Sequence, residues 1–288
     1  MKKASIIFMV YMLVMTLCSC SCEPIETRNY NSMYNITEIK SNNWVYVDTE
    51  TNVMYWYSGH GYGGGLSPML NADGTPKIYD AETSKYNVTE IKSNNWVYVD
   101  TETNVMYWYS GHGYGGGLSL MLNADGTPKI YDAETSKYNV TEIKSNNWVY
   151  VDTETNVMYW YSGHGYGGGL SLMLNADGTP KIYDAETSKY NVTEIKSNNW
   201  VYVDTETNVM YWYSVHGYGG GLSLMLNADG MPKIYDAETS KYNVTEIKSN
   251  NWVYVDTETD VMYWYSGHGY GGGLDVMIDE VGNPKIAN

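Results

Sequence analysis

Beyond residue 22 this chain has no cysteine, and only one of its 288 residues is phenylalanine. The missing cysteines exclude a disulfide framework for the body of the protein. Histidine is scarce as well, five in all, one for each of the units described below, so no unit carries a plausible zinc constellation. No apolar run approaches the roughly 20 residues that a membrane-spanning helix needs. Basic residues are few: 17 lysines and arginines stand against 33 aspartates and glutamates, for a net charge of −16. Such a surface repels a nucleic-acid duplex or an anionic bilayer, and no nucleic-acid partner is expected. With Phe almost absent, Trp and Tyr must carry the large apolar area of any core.

What is abundant is repetition. The stretch WVYVDTETNVMYWYSGHGYGGG begins at Trp44 and returns at Trp96, Trp148, Trp200 and Trp252, a period of 52 (96 − 44 = 52). Residues Tyr86–Lys137 and Tyr138–Lys189 are identical, and the next unit differs only at Val215 and Met231. The chain therefore divides into residues 34–85, 86–137, 138–189, 190–241 and 242–288, preceded by a spacer over 23–33. Near-identity of this kind points to recent duplication, so agreement among the copies carries little information about selection.

Residues 1–22 open with two lysines and an apolar segment from Ile6 to Leu17, about twelve residues, the length of a signal-peptide core. Leu17-Cys18-Ser19-Cys20 resembles a bacterial lipobox, which implies lipidation of Cys20 and a mature chain tethered to a membrane through that anchor alone. The expected location is the cell surface or the periplasm.

Within a unit the local signals are β. NVTEIK, NWVYVD and VMYWYS read as strands, with TETN as the turn between the last two, and Asn104 stands where such a loop needs a left-handed residue. LSLMLN, ADGT and PKIYD read as a second hairpin. No segment has a helical period, so the fold class is all-β: five tandem hairpin units of four to five short strands each. SGHGYGGG reads as an irregular connection between the hairpins; it has neither the Lys-Ser/Thr of a phosphate loop nor a following helix. Asp100 and Glu102, two residues apart at a turn, read as solvated, and no Ser/His/Asp arrangement is present. No enzymatic activity, cofactor or metal is expected.

The first hairpin is apolar on both faces, which leaves two readings of its aromatics: core, or a flat surface for stacking against sugars or peptides. On the second reading the candidate binding residues of a middle unit are Trp96, Tyr107, Trp108, His112 and Tyr114. Their equivalents are Trp44, Trp56, His60, Trp148, Trp160, His164, Trp200, Trp212, His216, Trp252, Trp264 and His268.

VYVDTETNVMYWY followed by GYGGGLSPMLNADGTPKI resembles a small bacterial domain of unknown function, found as a single copy in short proteins, with the pattern V-D-x-E-T-G-V-x-Y and then G-G-L-T-P-L-L-D-x-D-G-K-P. The likeness covers about 35 residues of each unit. Asn52, Asn104, Asn156, Asn208 and Asp260 stand where that family prefers Gly, and Leu120, Leu172 and Leu224 where it prefers Pro. The resemblance implies that one unit folds alone and assigns no activity. A second likeness, to aromatic cell-wall-binding repeats with a W…WYY rhythm, rests on composition.

Two arrangements of the units compete: beads on a string, or a five-bladed β-propeller, for which a 52-residue unit has the right size. Every unit holds the same strands in the same order, with no leftover strand to complete a first blade. Beads are therefore the preferred reading. The expected function is a multivalent binding module for a repetitive polymer, a glycan or the cell wall, or for another surface protein. The alternative is a structural spacer or surface antigen of variable repeat number.

Overall fold

The computed structural model describes residues 36–40, 45–60, 62–82, 88–92, 97–112, 115–134, 140–144, 149–164, 167–186, 192–196, 201–239, 244–248, 252–268 and 270–287, the backbone alone at some of them. The signal segment, Cys20, the spacer, Trp44, Trp96, Trp148, Trp200 and Tyr114 lie outside these residues, as do the side chains of His60, His112, His164 and His268.

Each unit forms one four-stranded antiparallel sheet in simple meander order. In the first unit β1 is Ile36–Lys40, β2 Val45–Asp48, β3 Met54–His60 and β4 Gly63–Pro68, and the other units repeat these strands 52 residues on. The aromatic hairpin reads off the sequence as drawn, since Tyr46 pairs with Tyr55 and Val47 with Met54. Its loop turns at Asn52, whose φ of 58° is left-handed; Asn tolerates that conformation at low cost. The Asn52 amide donates to the Asp48 carbonyl at 2.7 Å. All four equivalent positions, Asp260 included, share the conformation. The second hairpin forms as well, bridged from Leu70 to Pro76.

SGHGYGGG is not an irregular connection. Ser58–His60 end β3 and Gly63–Gly65 begin β4, with His60 opposite Gly63, and in unit 4 the two residues between the equivalent strands, Gly217 and Tyr218, make a two-residue turn. The three glycines explain the overall architecture. β4 and its four equivalents converge on a common axis, where strands of non-adjacent units come within 8 Å. A Cβ on Gly63 would lie 2.6 Å from the Tyr109 hydroxyl and 2.7 Å from the Gly115 carbonyl carbon, and one on Gly65 would overlap the Leu118 backbone nitrogen. Only glycine lets five backbones approach this closely.

The units are consequently not beads but the blades of a closed five-bladed propeller, the alternative arrangement. Both faces of each apolar hairpin are covered, one by each neighbour. At the junction of units 1 and 2, Val45, Met54, Trp56 and Met69 pack on Tyr98, Val105, Tyr107 and Leu118. Between units 5 and 1 the same set recurs, with Met262, Trp264 and Met277 packed on Tyr46, Val53, Tyr55 and Leu66. Trp56 meets Tyr98 and Tyr107 edge-on at 5.1 and 5.4 Å, and Trp264 meets Tyr46 and Tyr55 at 5.1 and 5.5 Å. Ring closure needs no exchanged strand because side chains supply it.

Charged groups repeat the same closure. Lys77 is inserted between Asp100 and Glu102 of the next unit, its Nζ 2.7 Å from Asp100 Oδ2 and 2.6 Å from Glu102 Oε2. Three further junctions repeat the triad, and Lys285 closes the ring on Asp48 and Glu50 at 2.7 and 2.8 Å. Asp100 is fully buried, not solvated as its place in a turn implied. Burying a carboxylate without a partner is very costly, and the lysine of the preceding unit is what makes the position tenable. The Leu70 amide also donates to the Tyr107 hydroxyl at 3.1 Å, as the Ile278 amide does to Tyr55 at 2.9 Å across the closing junction. Burial pushes both phenols well above their ordinary range, so they remain neutral donors and acceptors.

Candidate functional site

Burial sorts the candidate residues. Trp56, Trp108, Trp160, Trp212 and Trp264 are 3 to 5% exposed, and Tyr107 is fully buried. They sit between blades, where no ligand can stack on them without parting the ring, so they are core and leave the list of contact residues. The sheet explains this: their strand is the third of four and both of its faces are occupied by neighbouring blades.

What stays accessible lies at one end of the axis, at the tips of the β3–β4 hairpins. A two-residue turn with glycine first places the next residue at the apex, and Gly217 adopts the positive φ, 60°, that this requires. The apex residue is tyrosine. Tyr62, Tyr218 and Tyr270 are 46, 51 and 50% exposed. Because the hairpins converge on the axis, these tyrosines touch: the Tyr62 and Tyr270 centroids are 5.0 Å apart, and those of Tyr218 and Tyr270 5.1 Å. They form part of an aromatic crown around the mouth of the ring.

Beside the crown, at the junction of units 4 and 5, a second aromatic group surrounds His216. Its ring stacks on Trp252 at 5.1 Å and 27° and lies 4.5 Å from Tyr265, while the Tyr254 hydroxyl is hydrogen-bonded to its Nε2. Trp252 holds a left-handed φ of 48°, its carbonyl accepting the Tyr265 amide at 3.1 Å. His216 and Trp252 are both partly exposed, so the junction presents an indole edge and an imidazole to solvent, backed by the buried Tyr254 and Tyr265. Of the candidates named from sequence, then, His216 and Trp252 come together at one place. Tyr254 and Tyr265 were not foreseen, and only the ring, which brings unit 5 against unit 4, could have revealed them. This arrangement can stack against a flat apolar face and exchange hydrogen bonds at its edge. Among the described residues no group of three or more His, Cys, Asp or Glu could hold a metal ion.

Comparison with known proteins gives one match. The model of a family of unknown function, DUF6440, matches five times in succession, over residues 28–79, 81–131, 133–183, 185–235 and 237–287. The chain belongs to this family. Each DUF6440 match ends just after the lysine that reaches the next unit, so one family domain corresponds to one blade. No curated protein and no solved structure matches the chain. Membership assigns no chemistry, and the reading of function rests on the geometry of the ring.

Proposed function

We propose that the protein is a non-enzymatic, multivalent binding module, held at a bacterial membrane through a lipid on Cys20, that engages a repetitive polymer such as a glycan or the cell wall. The observation that carries this reading is the crown: exposed tyrosines from several blades gathered on one end of a rigid ring. Repetition of a weak contact in fixed geometry raises the effective concentration of each further contact once the first is made. A rigid ring does this with less loss of entropy than a flexible string of domains. The net charge of −16 favours an uncharged or cationic polymer over an anionic one.

The test is a pull-down of residues 23–288 on peptidoglycan and on insoluble polysaccharides, beside a variant with Tyr62, Tyr114, Tyr166, Tyr218 and Tyr270 changed to Ala. Retention of the parent, with loss in a variant that keeps its circular dichroism, supports the reading. Equal retention of both removes the crown from it.

A second reading, a spacer or surface antigen that binds nothing specific, is favoured by the burial of Trp56, Trp108, Trp160, Trp212 and Trp264. Failure of the folded parent to bind any polymer in the panel selects it.

A further inference from the structure

The opposite end of the ring carries a different concavity. In each unit an Asn-Ala-Asp-Gly turn closes the second hairpin, and in the first three units the asparagine amide has two acceptors. Asn71 Nδ2 donates to the Thr75 hydroxyl at 3.1 Å and to the Pro76 carbonyl at 3.2 Å, and Asn123 and Asn175 do the same. In unit 4 Met231 replaces that threonine, and Asn227 is left with one hydrogen bond fewer, its donation to the Pro232 carbonyl at 3.3 Å. Beside this asparagine, between units 4 and 5, a groove of about 460 Å³ opens, walled by Ile234 and edged by Asn227, Thr239, Thr259, Glu258 and Lys233.

The lining restricts what fits. Lys233 is already held by Asp256 at 2.6 Å and by Glu258 at 2.7 Å, so two carboxylates outweigh one ammonium and an anion is repelled. Among the described residues that line the groove there is no aromatic ring, so they offer a planar base nothing to stack on. What remains is an aliphatic wall, two hydroxyls, one amide with spare hydrogen-bonding capacity and a carboxylate that is 34% exposed and fixed in place by its lysine. A compact, uncharged ring with an apolar face and hydroxyls on its edge complements all of these, and the volume is within the range of small-ligand sites. We propose that the groove between units 4 and 5 binds a neutral sugar residue, one per chain. The assignment is independent of the polymer reading, which uses the other end of the ring.

The five-unit chain titrated with glucose, N-acetylglucosamine and glucuronate, followed by saturation-transfer NMR and calorimetry, tests this. Saturable millimolar binding of at least one neutral sugar at one site per chain is expected, with glucuronate about ten-fold weaker because its carboxylate meets Glu258. Ala228, exposed on the rim of the groove, offers a variant that leaves the core untouched. Ala228→Trp should abolish sugar binding while thermal stability and polymer retention stay unchanged. The proposal is overturned if neither neutral sugar binds, if glucuronate binds equally well, or if binding survives Ala228→Trp.

Discussion

Asp275→Ser is expected to stabilise the protein at neutral pH and to leave it almost unchanged in acid. Asp275 occupies the position filled by Ser67, Ser119, Ser171 and Ser223 in the other four units, on a strand that lines the axis. Burial pushes its carboxyl up to about 7, against the opposing pull of hydrogen bonds from the Val276 amide and the Ser223 hydroxyl. A folded-state value raised above the unfolded one, 3.8, means that the native protein retains a proton which the unfolded chain has released. Stability from this group is therefore fully present below pH 4, falls as pH rises towards 7, and is flat above. The shift of about 3 units corresponds to about 4 kcal/mol as an upper bound. Asp275 retains some contact with solvent, which reduces this to about 2 kcal/mol.

Thermal unfolding at pH 4 and pH 8 reads the effect. For a chain of this size 2 kcal/mol corresponds to about 3–4 °C at the midpoint. Asp275→Ser and Asp275→Asn should both gain that much at pH 8 and little at pH 4, so the difference between parent and variant isolates this one carboxyl from all the others. A variant whose midpoint follows pH in parallel with the parent, or one destabilised at pH 8, would refute the burial argument.

Three further substitutions test the ring. Lys285→Met leaves Asp48 buried without its cation and should lose about 3–5 kcal/mol in urea denaturation, the same as Lys129→Met at an internal junction; a neutral Lys285→Met means that units 1 and 5 do not meet. Trp108→Ala should lose about 3–5 kcal/mol by emptying an inter-blade core site, seen as a fall in denaturation midpoint rather than as a selective loss of binding. Asn156→Ala, at a φ of 59°, should lose about 1–2 kcal/mol, whereas Asn156→Gly should cost almost nothing in the same assay.

The strands, both hairpins and the left-handed asparagine were legible because each is local: alternation, turn chemistry and one backbone preference decide it. Closure of the ring was not, because its determinants lie far apart in the chain. Lys129 and Asp152 are 23 residues apart, and Lys285 and Asp48 are 237 apart. A lysine in PKIYD and an aspartate in VYVD each look like ordinary surface charges until a neighbouring blade is placed between them. The absence of a leftover strand suggested beads because strand exchange is one way to close a propeller. Here the Trp–Tyr packing and the Lys–Asp–Glu triad do it instead. The plainest available sign of closure was the Gly-Gly-Gly run, read as part of an irregular connection although glycine also serves where backbones must crowd together. The crown followed from the sequence only in part. Tyr114 and its equivalents could be named, but that Tyr62 and Tyr218 each touch Tyr270 of a neighbouring unit depends on the ring.

Small-angle X-ray scattering of residues 34–288 in solution tests the closed ring most directly. A compact body of this length has a radius of gyration of about 18 Å, whereas five touching but independent units in a line reach roughly 35 Å. The ring predicts a value near the first, with a single compact form. A value near the second, or a broad distribution of lengths, would contradict the closure of unit 5 on unit 1.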